Sequence, residues 1–127
     1  MALTHTTAVR NILADAIDTA AVVGTTNATA RLVFMTSGDV EVATLAMDSP
    51  PFGAASSGAI TAGTISDDVS ATGGTVALFK ITDRDNTEIY RGTVTTSGGG
   101  GDIILSTLTV GASDTVSVSS LVYTASA

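Results

Sequence analysis

The fold is decided by one stretch, residues 75–95, which reads TVALFKITDRDNTEIYRGTVT. Apolar side chains alternate with their neighbours at a period of two over residues 75–82, and the alternation returns over residues 88–95. A period of two is typical of β-strands, because successive side chains point to opposite faces. Asp83, Arg84, Asp85 and Asn86 lie between the two runs and favour a tight turn. The stretch therefore predicts a β-hairpin.

Shorter alternating runs occupy the chain on both sides of this hairpin. They predict a second hairpin, strands 31–36 and 40–47 with a turn at Ser37-Gly38-Asp39, and further strands at 59–65, 102–110 and 115–124. About seven antiparallel strands with frequent turns indicate an all-β fold, either a β-sandwich or a small barrel. The 127 residues are enough for a single domain over 1–127, with a helix at about 7–22 and a β domain at about 30–125.

One helix precedes the strands. Its apolar residues recur at helical spacing and form one stripe: Val9, Ile12, Leu13, Ala16, Ile17 and Ala20. Thr6 or Thr7 can cap its start, Gly24 can end it, and the polar residues Arg10, Asn11, Asp15 and Asp18 lie off the stripe. We expect the stripe to cover the chain's own sheet, with docking on a neighbouring subunit as the alternative.

The composition argues against several kinds of partner. The net charge is −7 with only five Lys and Arg residues, which are scattered along the chain, so we expect no nucleic-acid binding. No apolar run approaches the ~20 residues that span a bilayer and no signal peptide is visible, so we expect no membrane and synthesis in the cytoplasm. The mean hydropathy of +0.43 favours apolar surface covered by other subunits, although Ala and Val alone can raise it.

Three segments have a distant likeness to chemical sites, and each has a simpler interpretation. His5 is the only histidine and lies before the helix without a positioned partner. Residues 83–88 lack the glycine and the spacing of a calcium loop and are better explained as an Asx-type turn. Gly98–Gly101 leads to Asp102 and a strand, so we expect a flexible hairpin connection rather than a phosphate loop. We therefore predict no catalytic residue, no cofactor and no metal.

A loop around two prolines carries the least usual apolar residue. Pro50 and Pro51 cannot donate ladder hydrogen bonds, so residues 48–58 form an edge or a loop. Phe52 follows them among small residues. It is either a plug that returns to the core, which we favour, or an exposed anchor for a partner.

A family resemblance runs along nearly the whole chain. The residues that carry it are Thr7 to Asn11 with Asp15, Ala43-Thr44-Leu45, Pro51 to Ala55, Thr61-Ala62, Asp83, Gly92-Thr93-Val94 and the glycines before Asp102. This pattern resembles a group of small virion proteins of tailed bacteriophages. The resemblance implies a virion structural part on the capsid surface, foremost a head decoration or cement protein. It implies binding to the major capsid protein and symmetric clusters such as trimers, and it transfers no catalytic residue.

The leading hypothesis is therefore a phage capsid cement protein that binds the major capsid protein and its own copies. Its expected contact residues are Leu3, His5, Val9, Arg10, Pro50, Pro51 and Phe52. A tail or neck component, such as a tube or fibre subunit, is the first alternative. A glycan-binding module is the second, and the shortage of aromatic platforms beyond Tyr90 and Tyr123 counts against it.

Overall fold

A computed structural model describes residues 4–125, in which one helix is followed by nine strands. The elements are α1 (Thr7–Ala21), β1 (Arg31–Met35), β2 (Glu41–Ala46), β3 (Ala59–Thr61), β4 (Gly74–Thr75), β5 (Leu78–Thr82), β6 (Glu88–Thr95), β7 (Ile103–Ile104), β8 (Thr109–Val110) and β9 (Val122–Thr124). The expectation of a mainly-β fold with one N-terminal helix is confirmed. The strands are shorter than the sequence predicts, and they form one five-stranded sheet and two small sheets rather than a clear sandwich of seven strands.

The five-stranded sheet has the order β2-β1-β5-β6-β7 and contains both predicted hairpins. β1 and β2 pair antiparallel with Leu32 opposite Leu45, and β5 and β6 pair antiparallel with Ile81 opposite Tyr90. Each hairpin turn contains a residue in the left-handed region, Asp39 with φ 64° and Asn86 with φ 67°. Asp and Asn tolerate that region better than other non-glycine residues, so the turn chemistry agrees with the strand pattern.

Two predicted strands are each divided between sheets. The run 75–82 is cut at Val76, whose N–H donates to the carbonyl of Leu108, while the N–H of Ala77 donates to Met35 in the larger sheet. β4 consequently pairs with β8, and β5 pairs with β1 and β6. The run 102–110 is divided into β7 and β8 in the same way. The alternation of side chains does not reveal this change of sheet, because both halves of each run keep a period of two.

The glycine run does not form the expected hairpin connection. β7 pairs with β6 in parallel, with Val94 opposite Ile103. The chain between the two strands therefore reverses its direction twice before β7 begins. Gly98 and Gly100 have φ values of 88° and 77°, which only glycine adopts at little cost. The carboxylate of Asp102 then accepts the N–H of Thr93 at 2.9 Å and fixes the start of β7 beside β6.

One hydrophobic cluster joins the three sheets. It includes Phe34 of β1, Ile60 of β3 and Val110 of β8, together with Ala14 and Ala21 of α1. β1 is the most deeply covered strand, since four consecutive residues from Leu32 are buried on both faces. The helix contributes only small side chains to this cluster's fully buried part. Within residues 4–125, no helix is both long and apolar enough to cross a bilayer.

Candidate functional site: the outward face of the helix

The apolar stripe of α1 faces away from the protein. We use "outward stripe" for Val9, Ile12, Leu13, Ala16, Ala20 and Val23, of which all but the half-buried Ala20 are exposed. Ile12 is 68% exposed, and the only residues of α1 that are fully buried are Ala14 and Ala21. The expectation that the stripe covers the chain's own sheet is therefore wrong for Val9, Ile12, Leu13 and Ala16, whereas Ile17 is half-buried and packs against the hydrophobic cluster.

The face of α1 that packs on the body is mixed, since Ala14, Ile17 and Ala21 contact the hydrophobic cluster and polar side chains lie beside them. Three side chains on it accept hydrogen bonds from backbone N–H groups of the loop at 52–58. Asp18 accepts from Phe52 at 3.0 Å, Asp15 from Ala55 at 2.9 Å and Asn11 from Gly58 at 2.7 Å. We call these three bonds the helix–loop ladder. Backbone donors near a core need acceptors, and the helix supplies them, which is why its polar side turns inward.

Arg10 adds a fourth attachment at the start of the helix. Its Nε and Nη2 donate to the carbonyl of Ala125 at 3.3 and 3.2 Å. The guanidinium lies so close to Gly58 that a Cβ there would be 2.7 Å from Arg10 Cζ. Thr6 caps the helix, its Oγ1 accepting the N–H of Val9 at 3.3 Å. These bonds attach the helix to the body at both ends, and the polar side chains on its inner side all have hydrogen-bond partners.

The outward stripe has a concave middle. A shallow cavity of about 500 Å³ is lined by Ile12, Asp15, Ala16, Thr19, Ala20 and Val23. Ile12 and Val23 form its two ends, and the small side chains of Ala16, Thr19 and Ala20 form its floor. The depression is open to solvent, and the exposed Asp15 lines it beside these apolar residues.

The seven expected contact residues are placed in different environments. Leu3 lies outside the described residues, while His5, Val9 and Pro50 are exposed. Arg10 is half-buried in its bond to Ala125. Pro51 is buried and Phe52 is 2% exposed, in the hydrophobic cluster, so Phe52 is the plug rather than an exposed anchor. The structure brings Val9 into the outward stripe and separates it from the Pro50 loop.

The segment that resembles part of a calcium loop is a turn. Asp83 Oδ1 accepts the N–H groups of Asp85 and Thr87, both at 2.9 Å, as in an Asx-type turn. Asp85 Oδ1 accepts the N–H groups of Thr25 and Thr26, also at 2.9 Å. These two bonds hold the pKa of the Asp85 carboxyl below its usual value of 3.8. Within residues 4–125, no group of three or more His, Asp or Glu side chains is arranged to hold a metal ion.

Two tyrosines that lie far apart in the sequence meet in the structure. The rings of Tyr90 and Tyr123 are 5.2 Å apart, and Phe79 packs edge-on against Tyr90 at 6.1 Å. They line a cavity of about 380 Å³ with Arg91 and Asp102. The Tyr90 hydroxyl is buried without a hydrogen-bond partner, and burial raises its pKa above the usual value. Because that hydroxyl is shielded from solvent, the tyrosine pair serves the packing of β6 against β9.

The four arginines are committed to contacts within the chain. Arg10 bonds Ala125, Arg31 donates to Asn27 Oδ1 at 2.9 Å, and Arg84 donates to the Asn27 carbonyl at 2.8 Å. Arg91 pairs with Glu88 at 2.7 Å and with Asp39 at 3.0 Å, and the bond from Arg91 lowers the pKa of Glu88. These four arginines thus stabilise turns and strand ends.

Comparison with protein-family models, curated proteins and solved structures finds no match to this chain.

One feature of the sequence agrees with the orientation of α1, although it does not determine that orientation. Asn11, Asp15 and Asp18 recur at i, i+4 and i+7, the same spacing that defines an apolar stripe. Three hydrogen-bonding side chains on one helix face form a second stripe with its own partners. The apolar stripe alone shows which residues share a face, and it does not show which face meets the body.

Proposed function

We propose that this chain is a bacteriophage virion structural protein of the head decoration or cement type, which binds the major capsid protein and other copies of itself. The observation that carries the proposal is the outward stripe, an exposed apolar face on a firmly attached helix. Exposed apolar side chains that lie together on one face, rather than singly, are typical of an interaction site. The sequence resemblance to tailed-phage virion proteins supplies the class, and the stripe supplies a surface suited to assembly.

We infer that the protein is not an enzyme and works without a cofactor or a metal. The carboxylates that the sequence offers for chemistry have structural tasks: Asp83 closes a turn, and Asp85 binds the chain that follows α1. Catalysis needs a nucleophile or base near an orienting group. The engagement of these carboxylates by backbone N–H groups supports a contact role.

We also propose that the partners are proteins and that nucleic acid and membranes are excluded. Phosphate binding needs Lys and Arg side chains that are free to reach the ligand. The arginines of this chain bind their own turns and carbonyls, and the net charge is −7. Both facts support a protein partner on the capsid surface after synthesis in the host cytoplasm.

The finer fold expectation, a β-sandwich or small barrel, belongs to this proposal as well. It is supported by the single cluster that joins Phe34, Ile60 and Val110 from three sheets. In that arrangement the two small sheets would close over the five-stranded sheet and give a rigid unit, as an assembly part requires.

The location is tested by imaging virions of the phage that encodes this chain. We expect cryo-electron microscopy to show a regular lattice of extra density over the head that is missing from virions in which the gene is deleted. The deleted virions are the matched control, and they should also lose their genome at a lower temperature. Density confined to the tail or neck would contradict the decoration role and favour the tube or fibre alternative.

A further inference from the structure

We propose that the cleft between the last two extended runs of the chain binds an extended, basic segment of a partner protein, which adds a strand between them. We call this cleft the strand groove, with residues 102–110 as one wall and residues 115–122 as the other. Peptide binding is a property of the purified chain, so this site goes beyond the proposed function and does not depend on a place in a virion.

The two walls separate from a common turn at residues 111–114 instead of pairing with each other. Their alternating pattern with a turn between them is typical of a hairpin. In the structure the first wall pairs elsewhere, β7 with β6 and β8 with β4. On the second wall Val116 forms an isolated bridge with Asp68, and β9 at its end pairs with β3. The bonds that position the walls thus run to other parts of the chain and leave a cleft between them.

Three cavities lie end to end between the two walls. The cavity next to the turn has a volume of about 150 Å³ and shares Leu105 and Ser117 with a middle cavity of about 440 Å³. The middle cavity shares Asp102 and Leu121 with the cavity of about 380 Å³ beside the tyrosine pair. An extended segment of seven residues is ~23 Å long at ~3.3 Å per residue, which is comparable to the wall at 115–122.

Backbone polar groups on both walls lack partners in the chain. Among residues 4–125, no N–H group of residues 106–108 or 117–121 donates to a backbone carbonyl, and the carbonyls of residues 117–120 accept no backbone N–H. Leu121 is only 6% exposed, and most buried N–H groups in proteins have an acceptor. The ligand that supplies backbone acceptors and donors to two facing walls is another extended polypeptide.

The side chains of the groove suit an added strand. Leu105 and Val118 are half-buried and pack against the hydrophobic cluster, one from each wall. The residues beside them are exposed serines, Ser106, Ser117 and Ser119, which are small enough to leave the cleft open. A strand between the walls would place alternate side chains over the apolar pair and the others toward solvent. We therefore expect a segment that alternates apolar and polar residues.

The charges at the groove select a basic segment. Asp114 lies at the turn and Asp102 near the other end, and each uses its Oδ2 to accept one backbone N–H, at 2.7 and 2.9 Å respectively. Among the described residues that line the groove, Arg91 is the only cation, and it is paired with Glu88 and Asp39. A segment with a lysine near each end would have a carboxylate close to both charges, whereas an acidic segment would be repelled.

The binding test uses a capped, fluorescently labelled heptapeptide with lysine at both ends and alternating threonine and valine between them. Fluorescence anisotropy at low ionic strength should show saturable binding to the purified chain. The matched control is the same peptide with N-methyl groups on alternate backbone nitrogens, which keeps its side chains and charge but removes backbone donors. We expect this control to bind at least ~10-fold more weakly, because several hydrogen bonds are lost. Replacement of both lysines by glutamate should weaken binding by a similar factor of about 10.

Two tryptophan substitutions locate the bound peptide. Ser117 lies where two of the cavities meet and Ser37 lies in the turn between β1 and β2, and both are exposed. We expect Ser117→Trp to weaken peptide binding at least ~10-fold, because the indole occupies the space of the added strand. Ser37→Trp should bind the peptide as the wild type does. Both variants should keep the wild-type melting temperature, since both side chains lie in solvent.

Three results would overturn the proposal: no saturable binding of the unmethylated peptide, equal affinity for the two peptides, or wild-type affinity in a folded Ser117→Trp variant. If Ser117→Trp does not fold, the comparison of the two peptides still decides the question. Peptide binding by a chain whose virions lack head density would leave the strand groove standing and contradict the decoration role alone. Head density without peptide binding would do the reverse.

Discussion

Asp85 joins two parts of the chain that are 60 residues apart. Its Oδ1 accepts the N–H groups of Thr25 and Thr26 and so holds the segment after α1 against the turn between β5 and β6. Gly24 makes this approach possible, because a Cβ there would be 2.6 Å from Asp85 Cγ and the φ of 111° suits glycine. The contact depends on an ionised carboxylate, which gives it a pH dependence.

We expect Asp85→Ala to lower the melting temperature at neutral pH. The folded-state pKa of Asp85 lies below its ordinary value of 3.8, so its stabilising effect is present above that value and is lost as the pH falls through the lower folded pKa. Thermal unfolding should therefore separate wild type and variant at pH 7 and bring them together well below pH 3.8.

The control for this prediction is Asp67→Ala, which removes an exposed carboxylate from a polar loop. It should leave the melting temperature close to the wild-type value at both pH values. A melting temperature of Asp85→Ala equal to that of wild type at pH 7 would contradict the role given to Asp85.

At the scale of the element, α1 packs on the body with a mixed face of polar and apolar side chains and turns Val9, Ile12 and Leu13 outward. The helix–loop ladder fixes this orientation, since the loop at 52–58 presents backbone N–H groups that need acceptors. Ala14 and Ala21 fill the space beneath the helix, where larger side chains would hold it away from the ladder. A helix attached in this way keeps its apolar stripe free.

Removal of one hydrogen bond of the helix–loop ladder should lower the stability of the isolated domain. Asp18→Ala leaves the N–H of the buried Phe52 without its acceptor, and we expect a loss of about 1–2 kcal/mol in the free energy of unfolding. Urea denaturation measures this directly. Thr19→Ala is the matched control on the same helix, because Thr19 is exposed and alanine favours helix. Equal losses in the two variants would show that the ladder does not hold the helix.

The sequence predicts some elements well and others poorly, for identifiable reasons. Helical spacing from Val9 to Ala20 finds α1, and the turn residues near Asp39 and Asn86 find both hairpins, because these signals are local. The parallel pairing of β7 with β6 escapes prediction, since it depends on how Gly98 and Gly100 turn and on the bond from Thr93 to Asp102. A period of two predicts a strand, but it does not predict which other strand it pairs with.

The candidate site was predictable as a set of residues and not as a surface. The apolar period groups Val9, Ile12 and Leu13 on one side of α1, which the structure confirms, but it also includes Ile17, which packs against the hydrophobic cluster. Its direction follows from distant backbone donors at 52–58, and these carry no sequence signature. Phe52 is the converse case: its burial agrees with the general preference of large apolar side chains for the interior.

At the scale of the whole molecule, the self-association in the proposed function should couple stability to concentration. Folded copies that associate are stabilised by mass action, whereas isolated domains are not. We expect the melting temperature of the wild type to rise over a roughly 100-fold increase in protein concentration. The melting temperature of Ile12→Glu, which places a charge on the outward stripe, should stay constant over the same range, and differential scanning calorimetry can follow both.

The helix–loop ladder also has a mechanical meaning. Its three acceptors span residues 11–18, about 10 Å along the helix axis at ~1.5 Å per residue. A force along that axis loads all three bonds in shear at once, whereas a force away from the body peels them one after another. A neighbour gripping the outer face and pulling lengthwise would therefore transmit tension into the backbone at Gly58, next to β3. The attachment of α1 is then directional, because it resists a force along the helix axis more strongly than a force that pulls the helix away from the body.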